Sequence, residues 1–202
     1  MATELEIKYA VGDLQLLDCM LCDPMIREKM HTGAFRNIRM ETTYYDTQDG
    51  AFSARKWTYR LRRENERSVI TLKTPGSGYA RGEWEWEGEY LDEAPEALIA
   101  AGAPEALRTL LDEAELTIVC GASFTRIAAE LTLEGARCEL CGDIGWLTGG
   151  GRREPLCELE LELKDGSAEA MLAFARKLAG KYGLREEQRS KFARARALAA
   201  AR

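Results

Sequence analysis

The sequence predicts an α+β fold in which helices pack outside a large antiparallel sheet. Most segments that qualify as strands alternate charged and apolar residues with period 2, as strands with one packed face do. Helical segments stand between only some of these many strands, which favours the α+β class.

The elements of the first half follow from local pattern. Alternation predicts a strand at 3–11, an apolar segment after Asp13 predicts a helix to residue 21, and Pro24 starts a turn or helix reaching residue 30. An extended stretch at 35–47 precedes a hairpin of strands 57–63 and 68–74, which ends in a Pro-Gly-Ser-Gly turn at 75–78.

The second half continues the same mixture. A strand at 81–90 is followed by an Ala/Glu/Leu-rich helix at 94–111, which we expect to break near Gly102-Ala103-Pro104. Strands at 115–133, 136–141 and 156–164 come next. Ser167 caps an amphipathic helix that ends at residue 182 before Gly183, and a final helix covers 186–200.

Composition limits the function classes. With 202 residues, 46% of them hydrophobic, the chain can bury a proper core, and we expect one domain. The net charge of −6 argues against a general nucleic-acid surface, which needs a positive field. The sequence shows neither a long apolar span nor a secretion signal, so we expect a cytoplasmic protein without a membrane partner.

Six cysteines include two Cys-x-x-Cys pairs, Cys19/Cys22 and Cys138/Cys141. Four such thiols could in principle hold zinc. However, the first pair lies in a helical stretch and the second in a strand, whereas zinc-ligand pairs sit on tight turns. Buried, reduced thiols are therefore the preferred interpretation.

The first strand carries an unusual charge pattern. Glu4, Glu6 and Lys8 share one face of it, because strand side chains alternate with period 2. Two carboxylates so close repel each other unless a counter-charge such as a metal ion lies nearby. This strand is thus a candidate cation site.

Charged faces recur on the other strands and are sorted by sign. Acids dominate the first and last strands, and bases dominate the hairpin between them, at Arg60, Arg62 and Lys73. One interpretation is an ordinary sheet with a solvated face. The other is a sheet curled so that the charged faces point inward, forming a tunnel that suits a polyanion with its metal ions. The alternation alone leaves both open.

A set of motifs goes further. They are Glu4-x-Glu6-x-Lys8, Tyr44-Tyr45-Asp46-Thr47, Arg60-Leu-Arg62-Arg-Glu64-Asn, Thr71-Leu-Lys73, Arg81-x-Glu83-x-Glu85, Phe124-Thr-Arg126, Glu139-Leu-Cys-Gly-Asp143, Glu158-Leu-Glu160-Leu-Glu162-Leu and Ser190-Lys191-Phe-Ala-Arg194. In this order the motifs resemble the CYTH proteins, or triphosphate tunnel metalloenzymes, and most of all their bacterial inorganic triphosphatase branch. The likeness covers nearly the whole chain.

The resemblance implies a closed, eight-stranded antiparallel tunnel with a polar lumen, which binds a small-molecule triphosphate beside Mg²⁺ or Mn²⁺. The implied metal ligands are Glu4, Glu6, Glu160 and Glu162, with Glu83, Glu139 and Asp143 as further candidates. The implied phosphate contacts are Lys8, Arg60, Arg62, Lys73, Arg126 and Lys191. Lys8 and Tyr44 are candidates for assisting the attacking water.

One departure from the family pattern bears on the phosphate contacts. Relatives often carry a second basic residue shortly after the position of Arg126, whereas residues 127–129 here are Ile, Ala and Ala. Arg39 or Arg137 is a candidate replacement for that contact.

The expected activity is hydrolysis of inorganic triphosphate to pyrophosphate and phosphate. Two alternatives stay open: a class IV adenylate cyclase or thiamine triphosphatase acting on an organic triphosphate, and a non-catalytic polyphosphate- or nucleotide-binding module. We expect residues 1–202 to form one CYTH domain without the CHAD domain that some relatives add, and a homodimer is plausible.

Overall fold

The computed structural model describes residues 3–31 and 33–200. The strands are β1 (Thr3–Ala10), β2 (Arg36–Thr47), β3 (Thr58–Glu64), β4 (Arg67–Thr74), β5 (Ala80–Glu87), β6 (Leu116–Leu133), β7 (Ala136–Gly149), β8 (Arg152–Gly166) and β9 (Arg185–Glu186). The helices are α1 (Leu14–Leu21), α2 (Pro24–Arg27), α3 (Ala51–Ala54), α4 (Ala94–Ala100), α5 (Ala106–Glu113), α6 (Ala168–Tyr182) and α7 (Lys191–Ala200).

Eight of the strands close into a barrel. Their order is β5-β4-β3-β2-β6-β7-β8-β1, and β1 pairs back onto β5, with Glu4 opposite Arg81. All of these pairings are antiparallel. The short β9 adds to the edge of β1 at Tyr9 and Ala10. The predicted closed, eight-stranded antiparallel tunnel with helices outside is confirmed.

The apolar faces of the strands point outward and are covered by helices. On one side, α1 and α6 bury Leu17 and Met171 against Ile7, Leu159 and Leu161. On the other side, a second cluster packs α3, α4 and α5 onto β3, β4 and β5. Because both outer surfaces are apolar and covered, the charged faces form the lumen.

Helix α7 lies across one end of the barrel, against β6, β7 and β8. A Cβ atom at Gly149 would lie 2.2 Å from the carbonyl oxygen of Ala195, so glycine is what lets helix and strand approach this closely. Phe192 contacts Tyr44 with ring centroids 5.2 Å apart. This packing fixes where the first turn of α7 enters the barrel.

Most predicted elements are present, and the differences have local causes. The helical region at 94–111 breaks as predicted, around residues 101–105. β7 extends past residue 141 to Gly149. Its glycines allow neighbouring segments to approach the strand closely, since a Cβ at Gly145 would lie 2.2 Å from the Ser123 carbonyl oxygen. The last helix begins at Lys191 rather than at residue 186, since residues 185 and 186 pair with β1.

The cysteines do not form a zinc site among the described residues. Cys138 packs in the apolar core whereas Cys141 lines the lumen, so this pair faces opposite sides of β7. All six thiols are unpaired with one another, but Cys19 and Cys22 are exposed, which corrects the expectation that the thiols are buried. Within the described ranges, none of the helices has the length and apolar character needed to span a membrane.

Candidate active site

The lumen is a cavity of about 310 Å³ with charged walls. Its lining includes the acids Glu4, Glu6, Glu64, Glu83, Glu85, Glu139, Glu160 and Glu162, and the bases Lys8, Arg60, Arg62, Arg67, Lys73, Arg81, Arg126, Lys164 and Lys191. Tyr44 and Phe192 are the aromatic residues of the lining. Such a cavity suits a small, highly charged ligand that carries both anionic groups and metal ions.

Arg62 is the most informative basic residue. It is only 6% exposed, and its Nε donates a hydrogen bond to the Thr42 hydroxyl at 3.1 Å. Among the described residues no carboxylate lies within ion-pair distance of its guanidinium, although Phe124 lies below it at 5.8 Å. A buried charge without a counter-charge is costly unless a ligand compensates it.

Electrostatics strengthens this conclusion. Burial lowers the pKa of Arg62, and the neighbouring Arg60 and Arg126 lower it further, against the smaller raising effects of Tyr44 and Glu64. Arg60 is also buried, lies 3.5 Å from Glu83, and has a buried Nε without a hydrogen-bond partner among the described residues. Two adjacent guanidiniums with unused donors form a ready anion site, since their planar forks match phosphate oxygens.

Acids face the bases from the other wall. Strand register places Glu162 directly opposite Glu6 on one neighbouring strand and Glu139 on the other. Like charges at directly paired positions destabilise a sheet unless a cation lies between them. Burial raises the pKa of Glu162, and the negative charges of Glu4 and Glu83 add to that effect against the opposing influence of Lys164.

These carboxylates fit a hard divalent cation. Mg²⁺ and Mn²⁺ take oxygen ligands from carboxylates, water and phosphate. Glu4, Glu6, Glu83, Glu139 and Glu162 supply such oxygens along one wall of the lumen. Their partners are lysines and arginines: Lys73 lies 2.5 Å from Glu4 and 3.1 Å from Glu83, Lys8 lies 3.1 Å from Glu6, and Lys164 lies 2.8 Å from Glu162.

A second carboxylate group already holds a cation of the protein itself. Asp143, Glu158 and Glu160 lie close enough together to bind a metal ion. The Lys191 Nζ contacts all three, at 2.7 Å from Asp143, at 2.8 Å from Glu160 and at short range from Glu158. These acids raise the pKa of Lys191 well above its ordinary value despite its burial. Because its ammonium contacts all three carboxylates, it occupies the position that a metal would take.

Arginines complete this group. Arg126 binds Asp143 through two hydrogen bonds of 2.8 and 2.7 Å and lies 2.5 Å from Glu160, and Arg194 donates to Glu158 at 2.9 Å. Burial alone would raise the pKa of Glu160, but the cations around it hold it well below its ordinary value. Three acids thus face three bases. Asp143 and Glu160 each lie within ion-pair distance of both Lys191 and Arg126, whereas Glu4 and Glu162 each have one lysine partner among the described residues.

The remaining predicted site residues divide into two groups. Lys8 and Tyr44 are buried and line the lumen, where Tyr44 is paired in register with Arg60. Arg39 is not brought into the lumen: its side chain is 77% exposed and lies 3.2 Å from Glu41. Arg137 is likewise exposed and faces Asp165. Neither supplies the phosphate contact that residues 127–129 lack.

Sequence reasoning gave no site role to several charged residues of the site, among them Arg81, Lys164 and Arg194. Arg81 and Lys164 line the lumen, and each continues the period-2 series of a strand that was already identified, before Glu83 and after Glu162. Arg194 lies one helical turn after Lys191 on α7. Extending each periodic pattern by one step would have found all three.

The family comparison agrees with this geometry. The CYTH domain model matches residues 2–195. Among curated proteins, the inorganic triphosphatase of Haemophilus influenzae is 26% identical over 188 residues, covering 88% of this chain and 50% of that protein. The chain therefore spans about half the length of this curated relative.

Solved structures share the fold. The PH1819 protein of Pyrococcus horikoshii OT3 superposes with a TM-score of 0.57 at 22% identity, covering 94% of this chain and 96% of that one. HpAC1 from Hippeastrum, named as an adenylyl cyclase and described as having a dominant triphosphatase activity, gives 0.58 at 18% identity, covering 98% and 96%. At these identities the likeness concerns the fold alone.

Proposed function

The chain belongs to the CYTH domain family, and we propose that it is a metal-dependent triphosphatase that hydrolyses inorganic triphosphate to pyrophosphate and phosphate. The observation that carries the proposal is Arg62, a buried guanidinium that faces the lumen without a carboxylate partner among the described residues. A polyanion in the lumen would supply the missing counter-charge.

The lining favours a ligand that is charged along its whole length. Arg60 and Arg62 would bind phosphate oxygens from β3, and Lys8 would approach them from β1. The lumen offers little apolar surface to an organic group, since its aromatic residues are Tyr44 and Phe192, which contact each other. This supports inorganic triphosphate as the substrate, and the name of the Haemophilus influenzae relative points the same way.

The carboxylates on the other wall would hold Mg²⁺ or Mn²⁺, with Glu4, Glu6 and Glu162 as the principal ligands and Glu83 and Glu139 beside them. Such an ion, when bound, neutralises charge on the phosphates and activates a water molecule. Binding it also relieves the repulsion between the paired carboxylates of Glu6 and Glu162, so substrate and metal ions stabilise opposite walls of the lumen.

The chain's own residues would position the reactants. Arg60 and Arg62 would neutralise charge that develops on the leaving pyrophosphate, which is the main protein contribution to phosphoryl transfer. Lys8 and Tyr44 would donate hydrogen bonds beside the phosphate chain through Nζ and the phenol hydroxyl. The Lys191 cluster would hold Arg126 in place beside the lumen through the carboxylate of Asp143.

The decisive experiment compares substrates and metals. The purified protein is incubated with tripolyphosphate, ATP or thiamine triphosphate, each with Mg²⁺, Mn²⁺ or EDTA, and both phosphate and cyclic AMP are measured. We expect metal-dependent phosphate release that is fastest from tripolyphosphate.

Each other outcome replaces the proposal. Cyclic AMP formation from ATP would assign the chain to the cyclases, and faster release from thiamine triphosphate would assign an organic substrate. Binding of tripolyphosphate without turnover under every metal condition would leave a non-catalytic binding module.

A further inference from the structure

A second cavity of about 730 Å³ opens beside the lumen. We call it the vestibule and define it by Lys56, Trp57, the β4–β5 turn at 74–80 and the face of α7 that carries Arg196. Five of its residues also line the lumen, namely Thr58, Lys73, Arg81, Ser190 and Phe192. The two cavities therefore adjoin each other at these five residues.

The charge of the vestibule differs from that of the lumen. Its described lining contains five cationic residues, Lys56, Lys73, Arg81, Arg189 and Arg196, and no aspartate or glutamate. The lumen next to it mixes acids and bases. A site without carboxylates has no ligands for a divalent metal but attracts anions, so the vestibule fits the metal-free part of an anionic ligand.

Two of these cations are available to a ligand. Lys73, Arg81 and Arg189 have carboxylate partners, whereas no described acidic residue lies within ion-pair distance of Lys56 or Arg196. Lys56 also has a positive φ of 58°. It directly follows Arg55, the C-cap of α3, at a position where glycine is the usual residue. A residue other than glycine at such a backbone position is a pointer to function.

We propose that the vestibule binds the additional phosphoryl groups of linear polyphosphates longer than triphosphate, while the terminal phosphates occupy the lumen. This extends the proposed triphosphatase function and rests on it. Lys56 and Arg196 would contact the outer phosphates, and Lys73 and Arg81 lie at the junction of the two cavities. Longer chains should then bind more tightly than tripolyphosphate, with a stronger dependence on salt.

The test compares a double variant with a control of equal charge change. Lys56→Gln/Arg196→Gln removes the two vestibule cations. Arg55→Gln/Lys177→Gln removes two exposed cations that line neither cavity. Affinity for tripolyphosphate and for linear polyphosphates of four or more phosphates is measured by titration calorimetry in EDTA, together with metal-dependent hydrolysis.

We expect Lys56→Gln/Arg196→Gln to weaken binding of the longer chains about tenfold and to leave tripolyphosphate binding unchanged. The control should bind every chain like the wild type. Lys56→Gly should lose affinity for longer chains without a lower melting temperature, because glycine tolerates the positive φ.

Three results would overturn the proposal. The first is equal affinity of the wild type for polyphosphates of all chain lengths, and the second is an equal loss of affinity for longer chains in the two double variants. The third is a much higher affinity for ATP than for tetrapolyphosphate, together with a loss of ATP affinity in Trp57→Ala. The last would assign the vestibule to an aromatic group instead. Failure of the proposed function looks different, since it is the absence of tripolyphosphate hydrolysis by the wild type, and calorimetry in EDTA does not depend on turnover.

Discussion

Arg62 and Thr42 are paired in register across β3 and β2, and the Arg62 Nε donates a hydrogen bond of 3.1 Å to the Thr42 hydroxyl. This neutral partner orients the guanidinium without neutralising it. Every described carboxylate lies outside ion-pair distance, so the fold keeps a buried positive charge in the lumen at a cost in stability. A charge held in this way is available for an anionic ligand.

Arg62→Met should separate activity from stability. We expect kcat/KM for tripolyphosphate to fall at least about a hundredfold, because the variant loses donors to the phosphates. The free energy of unfolding should be unchanged or rise by about 1 kcal/mol, since an uncompensated buried charge is removed. Arg63→Met, which changes an exposed neighbour, is the control. A strongly destabilised Arg62→Met would mean that the guanidinium serves the fold instead.

Glu4→Gln and Glu162→Gln should impair metal binding. Each removes a carboxylate oxygen from the acidic wall, and we expect a weaker Mn²⁺ affinity and a loss of about a hundredfold in kcat/KM. Mn²⁺ binding is titrated by electron paramagnetic resonance, which does not depend on turnover. Glu134→Gln changes an exposed acid in the β6–β7 turn and serves as control. Wild-type Mn²⁺ affinity in both variants would remove these acids from the metal site.

Lys191→Ala should make the melting temperature of the protein depend more strongly on added metal ions. Without the ammonium, Asp143, Glu158 and Glu160 keep Arg126 and Arg194 as their ion-pair partners among the described residues, and we expect the free energy of unfolding to fall by about 3 kcal/mol. Added Mg²⁺ should then raise the melting temperature more than it does in the wild type, because an ion can enter the vacated position. Lys177→Ala is the surface control, and an equal Mg²⁺ effect in all three proteins would contradict the assignment.

The carboxyl group of Asp23 should make the free energy of unfolding depend on pH in the acidic range. Hydrogen bonds from Lys181 and Tyr182 lower the pKa of this carboxyl from 3.8 to about 2. Because the folded value is the lower one, the stabilisation is complete above about pH 4 and is lost as pH falls towards 2. Asp23→Asn should remove about 1–2 kcal/mol at neutral pH, allowing for screening of the half-exposed Lys181.

Asparagine keeps the oxygen that caps α2, where Asp23 accepts from the Met25 N–H at 2.8 Å. It replaces the oxygen that accepts from Lys181 and Tyr182 with an amide nitrogen, which only donates, so the variant removes the charge together with these two hydrogen bonds. Chemical denaturation from pH 2 to 7 measures the effect, with Asp18→Asn on exposed α1 as control. A wild-type acid dependence in Asp23→Asn would assign that dependence to other carboxylates.

Replacing each of two glycines by alanine should change the free energy of unfolding in opposite directions. At Gly149 the new Cβ would meet the Ala195 backbone, so Gly149→Ala should displace α7 and lower the free energy of unfolding by about 2–3 kcal/mol. Gly180 lies in α6 with no atom within 4 Å of such a Cβ. Gly180→Ala should therefore raise the free energy of unfolding by about 0.5–1 kcal/mol. Thermal melts measure both, and matching changes would contradict the packing of α7.

Local patterns carried much of the prediction. Period-2 alternation located β1, β3 and β4 closely, and the cap residues Ser167 and Gly183 bounded α6 correctly. It found β8 as well, but β8 starts at Arg152, before the predicted residue 156. The predicted strand at 136–141 covers only the first part of β7, which continues to Gly149 through Gly142 and Gly145. Leu17, Ser123 and α7 approach Gly142, Gly145 and Gly149 closely, and such contacts between distant segments leave no local signal.

The sequence by itself determined which residues carry charge on which face of each strand, because side-chain direction in a strand depends only on the parity of position. Only the tertiary structure decided whether those faces point to solvent or into a lumen, since that depends on closure of β1 onto β5. It also decided that Lys191 occupies the Asp143, Glu158 and Glu160 cluster while Arg62 has no acidic partner among the described residues. Ion pairing depends on distances across the barrel, which no spacing along the chain encodes.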